Sequence, residues 1–200
     1  MEQVRSFIAI ELPDEVKSGL TQLQTQLKAG KHSAVKWVDP RSSHLTLKFL
    51  GNIAADKIDK ITKALEAAAQ GLPPFHLKVN GLGVFLNLSR VQVAWIGING
   101  EVSQLSQLQQ RLESNLSPLG FAPESRPFTP HLTLARLRER ASLEERQSFG
   151  RLIASTKFEA VYSFSVDAIN LMRSQLTKEG AIYSQISSIK LKNFLSNATI

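Results

Sequence analysis

Between Val4 and Leu12 the chain is apolar and β-branched, with Phe7, Ile8 and Ile10 ahead of Pro13-Asp14. This predicts a strand that runs into a helix start, with Asp14 as the N-cap. Val16, Leu20, Leu23 and Leu27 then recur at helical spacing as far as Gly30, which predicts an amphipathic helix with a glycine stop. Val35 to Val38 reads as a short strand. From His44 to Leu50 the alternation is strict: Leu45, Leu47 and Phe49 share one face, while His44, Thr46 and Lys48 share the other. Gly51-Asn52 is expected to end that strand. A second helix is predicted from Asp56 to Ala69, with Ile58, Ile61, Leu65 and Ala68 aligned and Gly71, Pro73 and Pro74 as its stop.

Phe75 to Val79 alternates again, and Asn80-Gly81-Leu82-Gly83 breaks the pattern as a bulge or turn before Val84 to Leu86. These glycines lack the spacing of a dinucleotide-binding loop. Val91 to Ile98 predicts a strand, and Val102 to Leu116 a helix whose buried face is Leu105, Leu108 and Leu112. A loop from Pro118 to Pro130 leads to a strand from His131 to Leu137. A charged helix from Leu143 to Ile153 follows, anchored by Leu143, Phe149 and Ile153. Phe158 to Met172 holds one or two strands, and Ala181 to Leu191 a last strand at a sheet edge before a loose tail.

The order strand, helix, strand, helix, strand thus occurs in residues 4 to 86 and again in residues 91 to 172, and residues 173 to 200 add a strand and tail. Each half carries the same word, His44-Leu45-Thr46-Leu47 and His131-Leu132-Thr133-Leu134, at a matched position behind a loop with proline and arginine. That is the pattern of a duplicated unit. The fold class expected is α+β: one domain of two similar lobes, packed face to face about a pseudo-twofold axis.

Composition narrows the function. The chain has 200 residues, 42% hydrophobic and 20% charged, enough to bury a sizeable core and unlike a disordered segment. With no cysteine, disulfides, zinc-thiolate sites and thiol nucleophiles are excluded. Phe7 to Ile10 is too short an apolar run, with Glu11 directly after it, to build a signal peptide or a membrane span, so a cytoplasmic protein with no membrane partner is expected. A formal charge of +7 favours anionic partners, nucleic acid or nucleotide first among them.

The two repeated words hold half of the four histidines. On a strand, His and Thr two residues apart project to one side about 7 Å apart. Two such strands facing across a cleft would bring two imidazoles and two hydroxyls onto one small anion. Threonine hydroxyls donate to phosphate oxygens, and one histidine can be neutral while the other is charged near neutral pH. That pair is what hydrolysis of a cyclic phosphodiester requires: a base for the attacking water and an acid for the departing ribose oxygen, with no metal and no cofactor.

Among the cations, strand parity places Lys48 with Thr46 and turns Arg136 away from His131 unless a bulge intervenes. Arg126, in the loop before the second word, is free of parity and offers bidentate geometry to phosphate. Trp37, Phe128 and Tyr183 are candidates to stack on a base, although aromatic residues at strand ends more often join the core. His32 and His76 lack a partner word and are read as exposed bystanders.

Together with the opening Arg5-Ser6-Phe7-Ile8-Ala9-Ile10-Glu11-Leu12-Pro13, the runs His44 to Gly51 and Arg126 to Arg136 resemble the bacterial and archaeal RNA 2′,3′-cyclic phosphodiesterases. These belong to the two-histidine phosphoesterase superfamily, and some were first described as 2′-5′ RNA ligases. The resemblance covers nearly the whole chain and weakens after Tyr183. It implies antiparallel-rich sheets with outer helices lining a central cleft, and metal-independent opening of a 2′,3′-cyclic phosphate on RNA or a nucleoside to leave a 2′-phosphate. Carried over by position, His44 would be the proton donor, His131 the proton acceptor, and Thr46 and Thr133 the holders of phosphate. Lys48, Arg126, Arg136 and Tyr183 are the candidate substrate-binding residues, and a monomer is expected.

Three alternatives stay open. The same site can run in reverse, joining RNA ends through a 2′-5′ linkage. The chain can be a non-catalytic module for RNA ends or nucleotides. A metal site on His44 and His131 ranks lowest, since it lacks an evident third ligand.

Overall fold

The computed structural model describes residues 2–30, 32–158, 161–177 and 180–193. Its strands are β1 (Gln3–Glu11), β2 (Val35–Trp37), β3 (His44–Ala54), β4 (Phe75–Phe85), β5 (Val93–Gly100), β6 (His131–Leu137), β7 (Tyr162–Val166), β8 (Ala168–Leu176) and β9 (Ala181–Lys190). The helices are α1 (Asp14–Lys28), α2 (Ile58–Ala69), α3 (Val102–Leu116) and α4 (Leu143–Ser155). The expected loose tail lies outside the described residues from residue 194 onward.

Two sheets result, of strand order β3-β1-β8-β9 and β2-β6-β5-β4-β7, antiparallel at every paired strand. This is the two-lobed α+β architecture expected. The sheets do not divide where the sequence halves divide, however. β4, from the first half, pairs with β5, and β8, from the second, pairs with β1. β2, also from the first half, pairs with β6, so each sheet takes strands from the other half, which ties the lobes together through main-chain hydrogen bonds.

The helices form where apolar periodicity predicts. Val16, Leu20, Leu23 and Leu27 of α1 are buried, as are Ile61, Leu65 and Ala68 of α2 and Leu105, Leu108 and Leu112 of α3. Asp14 lies in the first turn of α1 and not at its cap, which is Pro13; there its carboxylate meets the positive end of the helix. In α4, Phe149 and Ile153 are buried but Leu143 is exposed. The reason is local: Ser142 caps α4 through a reciprocal capping box with Glu145, which turns the first helical residue outward.

Helices α2 and α3 pack on each other and against β3, β8 and β9. On the other lobe, α1 approaches β7 and α4 approaches β4. Gln24 of α1 donates to the carbonyls of Val38 (2.6 Å) and Leu134 (3.1 Å), which anchors this helix behind β6.

Gly51 does not end its strand as expected, and Gly81 takes the bulge of the two readings open for it. Gly51 has φ +71° and stays inside β3, which runs on to Ala54. Gly81, φ +76°, forms a bulge inside a continuous β4, where pairing with β5 skips from Asn80 to Leu82. In both places glycine adopts a left-handed conformation, letting the strand bend and continue. β9 is an edge strand, as its alternation suggested, and Phe158 to Met172 contains two strands, β7 and β8.

Candidate active site

Pairing register decides which side chains face the cleft. Along β1, Glu11, Ala9 and Phe7 share one face, and they pair with His44, Thr46 and Phe49 of β3. The register shifts between Ile8, opposite Lys48, and Ala9, opposite Thr46, so Leu47 is an extra residue. Such a bulge reverses the alternation beyond it. The second word carries the same device: Gly97, Trp95 and Val93 of β5 pair with His131, Thr133 and Arg136 of β6, and Leu134 is the extra residue.

The first bulge overturns the parity expectation for Lys48, and the second is the bulge on which a cleft-facing Arg136 depends. Lys48 points away from His44 and Thr46 and is 3% exposed; its Nζ lies 2.6 Å from Glu113 Oε2 of α3 and donates to the carbonyl of Ala122 at 2.9 Å. It is a core cation and not a cleft residue. Arg136, conversely, returns to the face of His131 and Thr133 and lines the cleft. Arg126 is exposed in its loop and is not among the residues lining the cleft.

The cleft, about 770 Å³, opens between the sheets, with Glu11, His44, Met172 and Tyr183 from the first and Lys36, Trp37 and Arg136 from the second. His131 and Thr133 continue the strand face that Arg136 begins. Each catalytic candidate is held by the same contact. His44 Nδ1 donates to the carbonyl of Ser42 at 2.9 Å, and His131 Nδ1 donates to that of Thr129 at 2.7 Å. A carbonyl only accepts, so Nδ1 carries the hydrogen and Nε2 is the working nitrogen, bare in the neutral ring and protonated in the cation.

Aromatic rings fix both imidazoles. Phe7 stacks on His44 with centroids 4.6 Å apart, and Tyr183 meets the same ring edge-on at 5.0 Å. Phe85 stands edge-on to His131 at 4.7 Å, with Trp95 at 6.4 Å. Trp95 lies over Gly83, where any side chain would collide with the indole. Its Nε1 is buried with no hydrogen-bond partner among the described residues. Phe7, Phe85, Trp95 and Glu11 were not anticipated as site residues; they become visible only once the pairing of β1, β4 and β5 is known.

Burial pushes both histidines below their ordinary value of 6.5, against the raising effect of each ring's backbone hydrogen bond. For His131 the positive charge of Arg136 lowers it further. In the free protein these surroundings favour neutral rings.

Of the other candidates Trp37 also lines the cleft, and the rest fall elsewhere. His32 packs edge-on to Phe149, 5.4 Å away, and His76 sits on the surface with its Nδ1 3.6 Å from Glu101. Trp37 meets Phe149 edge-on and carries Lys28 over its ring, and Phe128 packs against the core. Among the described residues no three His, Asp or Glu side chains gather into a metal-binding group, and no helix is long and apolar enough to cross a membrane.

Two imidazoles on bulged strands of opposed sheets, each oriented by a backbone carbonyl and each two residues from a threonine, define a two-histidine phosphoesterase site. Comparison with known proteins agrees. The chain belongs to the 2′-5′ RNA ligase superfamily, whose pattern matches residues 12–178. It is 32% identical over 189 residues to the RNA 2′,3′-cyclic phosphodiesterase of Methanothermobacter thermautotrophicus, covering 94% of this chain and 100% of that one. The Thermotoga maritima protein of the same name is 32% identical over 180 residues, covering 90% and 91%. Among solved structures, TT0787 of Thermus thermophilus superposes with a TM-score of 0.76 at 26% identity, covering 95% of this chain and 99% of that one. E. coli LigT complexed with 3′-AMP gives 0.73 at 26% identity, covering 96% and 100%.

Proposed function

We propose that the protein hydrolyses a 2′,3′-cyclic phosphate at the end of RNA, or on a nucleoside, to a 2′-phosphate. The observation that carries this reading is the matched pair of histidines, each with Nε2 freed by its Nδ1 hydrogen bond. Relatives of the same length and similar sequence bear the name of that activity.

In this reading His131 Nε2 takes a proton from water as the water oxygen bonds to phosphorus. The bond from phosphorus to O3′ breaks, and His44 Nε2–H gives its proton to that oxygen. The assignment of donor and acceptor follows the family resemblance. Turnover leaves His131 charged and His44 neutral, and exchange with solvent restores both. Because burial holds both rings toward neutrality, the substrate's negative charge favours the proton on His44 as it binds. Thr46 and Thr133 donate to the phosphoryl oxygens, and Arg136 offsets their charge. Proton transfer of this kind contributes about 10² to 10⁴-fold per group.

The test is incubation with a nucleoside 2′,3′-cyclic phosphate in excess chelator, with product analysis. Formation of the 2′-phosphate without metal is expected. A requirement for added divalent metal, or a 3′-phosphate product, would refute the reading. The reverse reaction, joining a 5′-hydroxyl to the cyclic phosphate, uses the same groups, and water in vast excess favours hydrolysis. The cytoplasmic location and monomeric state read from the sequence belong with this proposal, the latter open to sedimentation analysis.

A further inference from the structure

On β2 and β6, Lys36 and Arg136 are directly opposite each other, two like charges on neighbouring strands and on one face. Such a pair destabilises a sheet. Both line the cleft, and among the described residues neither forms an ion pair. Lys17, in the first turns of α1, lines the same cleft, also without an ion pair. The carboxylates present do not neutralise them: Asp39 is occupied by Arg41 at 2.7 Å, which leaves Glu11, opposite His44 at the other wall. The cleft thus carries a surplus of positive charge beyond what one phosphate at the two histidines uses. Arg136 shares β6 with His131 and opposes its protonation, while Lys36 sits one strand further out, on the edge of the sheet.

We propose that Lys17 and Lys36 bind a second phosphate, the one esterified to the 5′ oxygen of the ribose whose cyclic phosphate is opened. The preferred substrate is then an RNA end and not a free nucleoside. This rests on the proposed function and adds a specificity determinant to it. A strand laid with its terminal phosphate at His44 and His131 has its next phosphate one nucleotide away, and the two lysines, from α1 and β2, line the same cleft as His44 and Arg136. An anion between Lys36 and Arg136 also relieves their mutual repulsion, so the arrangement costs stability in the free protein and recovers it on binding.

The experiment compares three substrates in chelator at fixed salt: a nucleoside 2′,3′-cyclic phosphate, the same nucleoside bearing a 5′-phosphate, and a dinucleotide ending in the cyclic phosphate. Each is run with the parent and with the Lys17→Gln/Lys36→Gln variant. We expect the parent KM to be about tenfold lower for the two substrates with a 5′ phosphate ester, and the variant to lose that gain while its kinetics on the plain nucleoside stay unchanged. The salt dependence of the dinucleotide KM should flatten by about 0.7 in the log–log slope for each phosphate that the variant no longer neutralises. A gain with the 5′-phosphate equal to that with the dinucleotide assigns the site to a single phosphate ester; a larger gain with the dinucleotide assigns it to a strand. The Tm of the variant should be no lower than the parent's, which separates lost binding from lost folding. Equal KM for all three substrates, or equal weakening of all three in the variant, overturns the inference alone. Failure of the parent to hydrolyse any of them overturns the proposed function and this inference with it.

Discussion

Lys48 Nζ and Glu113 Oε2 lie 2.6 Å apart, joining β3 to α3 behind the strand whose cleft face carries His44 and Thr46. The pair is enclosed, with side-chain exposures of 2% and 14%. Removing one partner from such a pair strands the other's charge. Lys48→Met is expected to lower the unfolding free energy by about 3 kcal/mol, with the Glu113→Leu change on top of it recovering much of the loss. Denaturant unfolding measures both. Because Lys48 faces away from the cleft, KM for a cyclic phosphate should be nearly unchanged in the folded single variant; a tenfold rise would return Lys48 to the substrate.

Arg136 acts on His131 through its charge, so its removal has a signature in pH. Arg136→Gln should move the limb of the kcat/KM profile that belongs to His131 toward higher pH, because the neighbouring cation no longer opposes protonation. KM should rise as well, through lost attraction for phosphate. A rise in KM with an unmoved profile would mean that Arg136 binds substrate without influencing His131.

The profile itself should be bell-shaped, since one ring must be protonated and the other bare. Both histidines are pushed below 6.5 by burial, and the singly protonated free enzyme is most abundant between their two values. The optimum of kcat/KM is accordingly expected on the acid side of 6.5. An optimum above pH 8 would contradict the burial argument.

Stability follows the same linkage. A ring whose folded pKa lies below its unfolded value contributes stability that is complete above 6.5 and is lost as pH falls through the folded pKa. Comparing unfolding free energies at pH 7.5 and pH 5 should show a smaller drop in His44→Asn/His131→Asn than in the parent. An identical drop in both would show that the two histidines take no part in acid destabilisation.

In the proposed reaction Thr46 and Thr133 each supply a hydroxyl donor, one from β3 and one from β6. Thr46→Val and Thr133→Val keep the β-branched shape and delete the donor, and each should lower kcat by about 10²-fold with the fold intact, if its hydroxyl meets developing charge on the phosphoryl oxygens. Stopped assays under saturating substrate measure this directly. A change confined to KM would limit the threonine to ground-state binding.

Periodicity carried the helices, the strand order and the repeated word, because amphipathic faces leave their spacing in the chain. It failed where the backbone departs from ideal pleat. Nothing in His44-Leu45-Thr46-Leu47-Lys48 marks Leu47 as an extra residue, since a bulge is defined by the partner strand, so strict alternation places Lys48 in the cleft and leaves Arg136 to depend on a bulge. Gly51 reads as a strand end and Gly81 as a bulge or a turn, because glycine signals a left-handed residue without saying whether the strand stops or bends there. The exchange of β2, β4 and β8 between sheets was hidden for a related reason: order along the chain records which strands exist, not which neighbour each one joins. Phe7 and Phe85 carry no functional mark in the sequence beyond being apolar strand residues, and each packs against the ring of a histidine of the site.

The acid and base roles of His44 and His131 are tested most directly by kcat on a nucleoside 2′,3′-cyclic phosphate, in chelator, for His44→Ala, His131→Ala and the double variant. Two groups that act as one proton-transfer unit are not additive. Each single change is expected to cost about 10³-fold or more, and the double change little beyond either single one, with unfolding midpoints close to the parent's. A double variant that hydrolyses as fast as the parent would contradict the account.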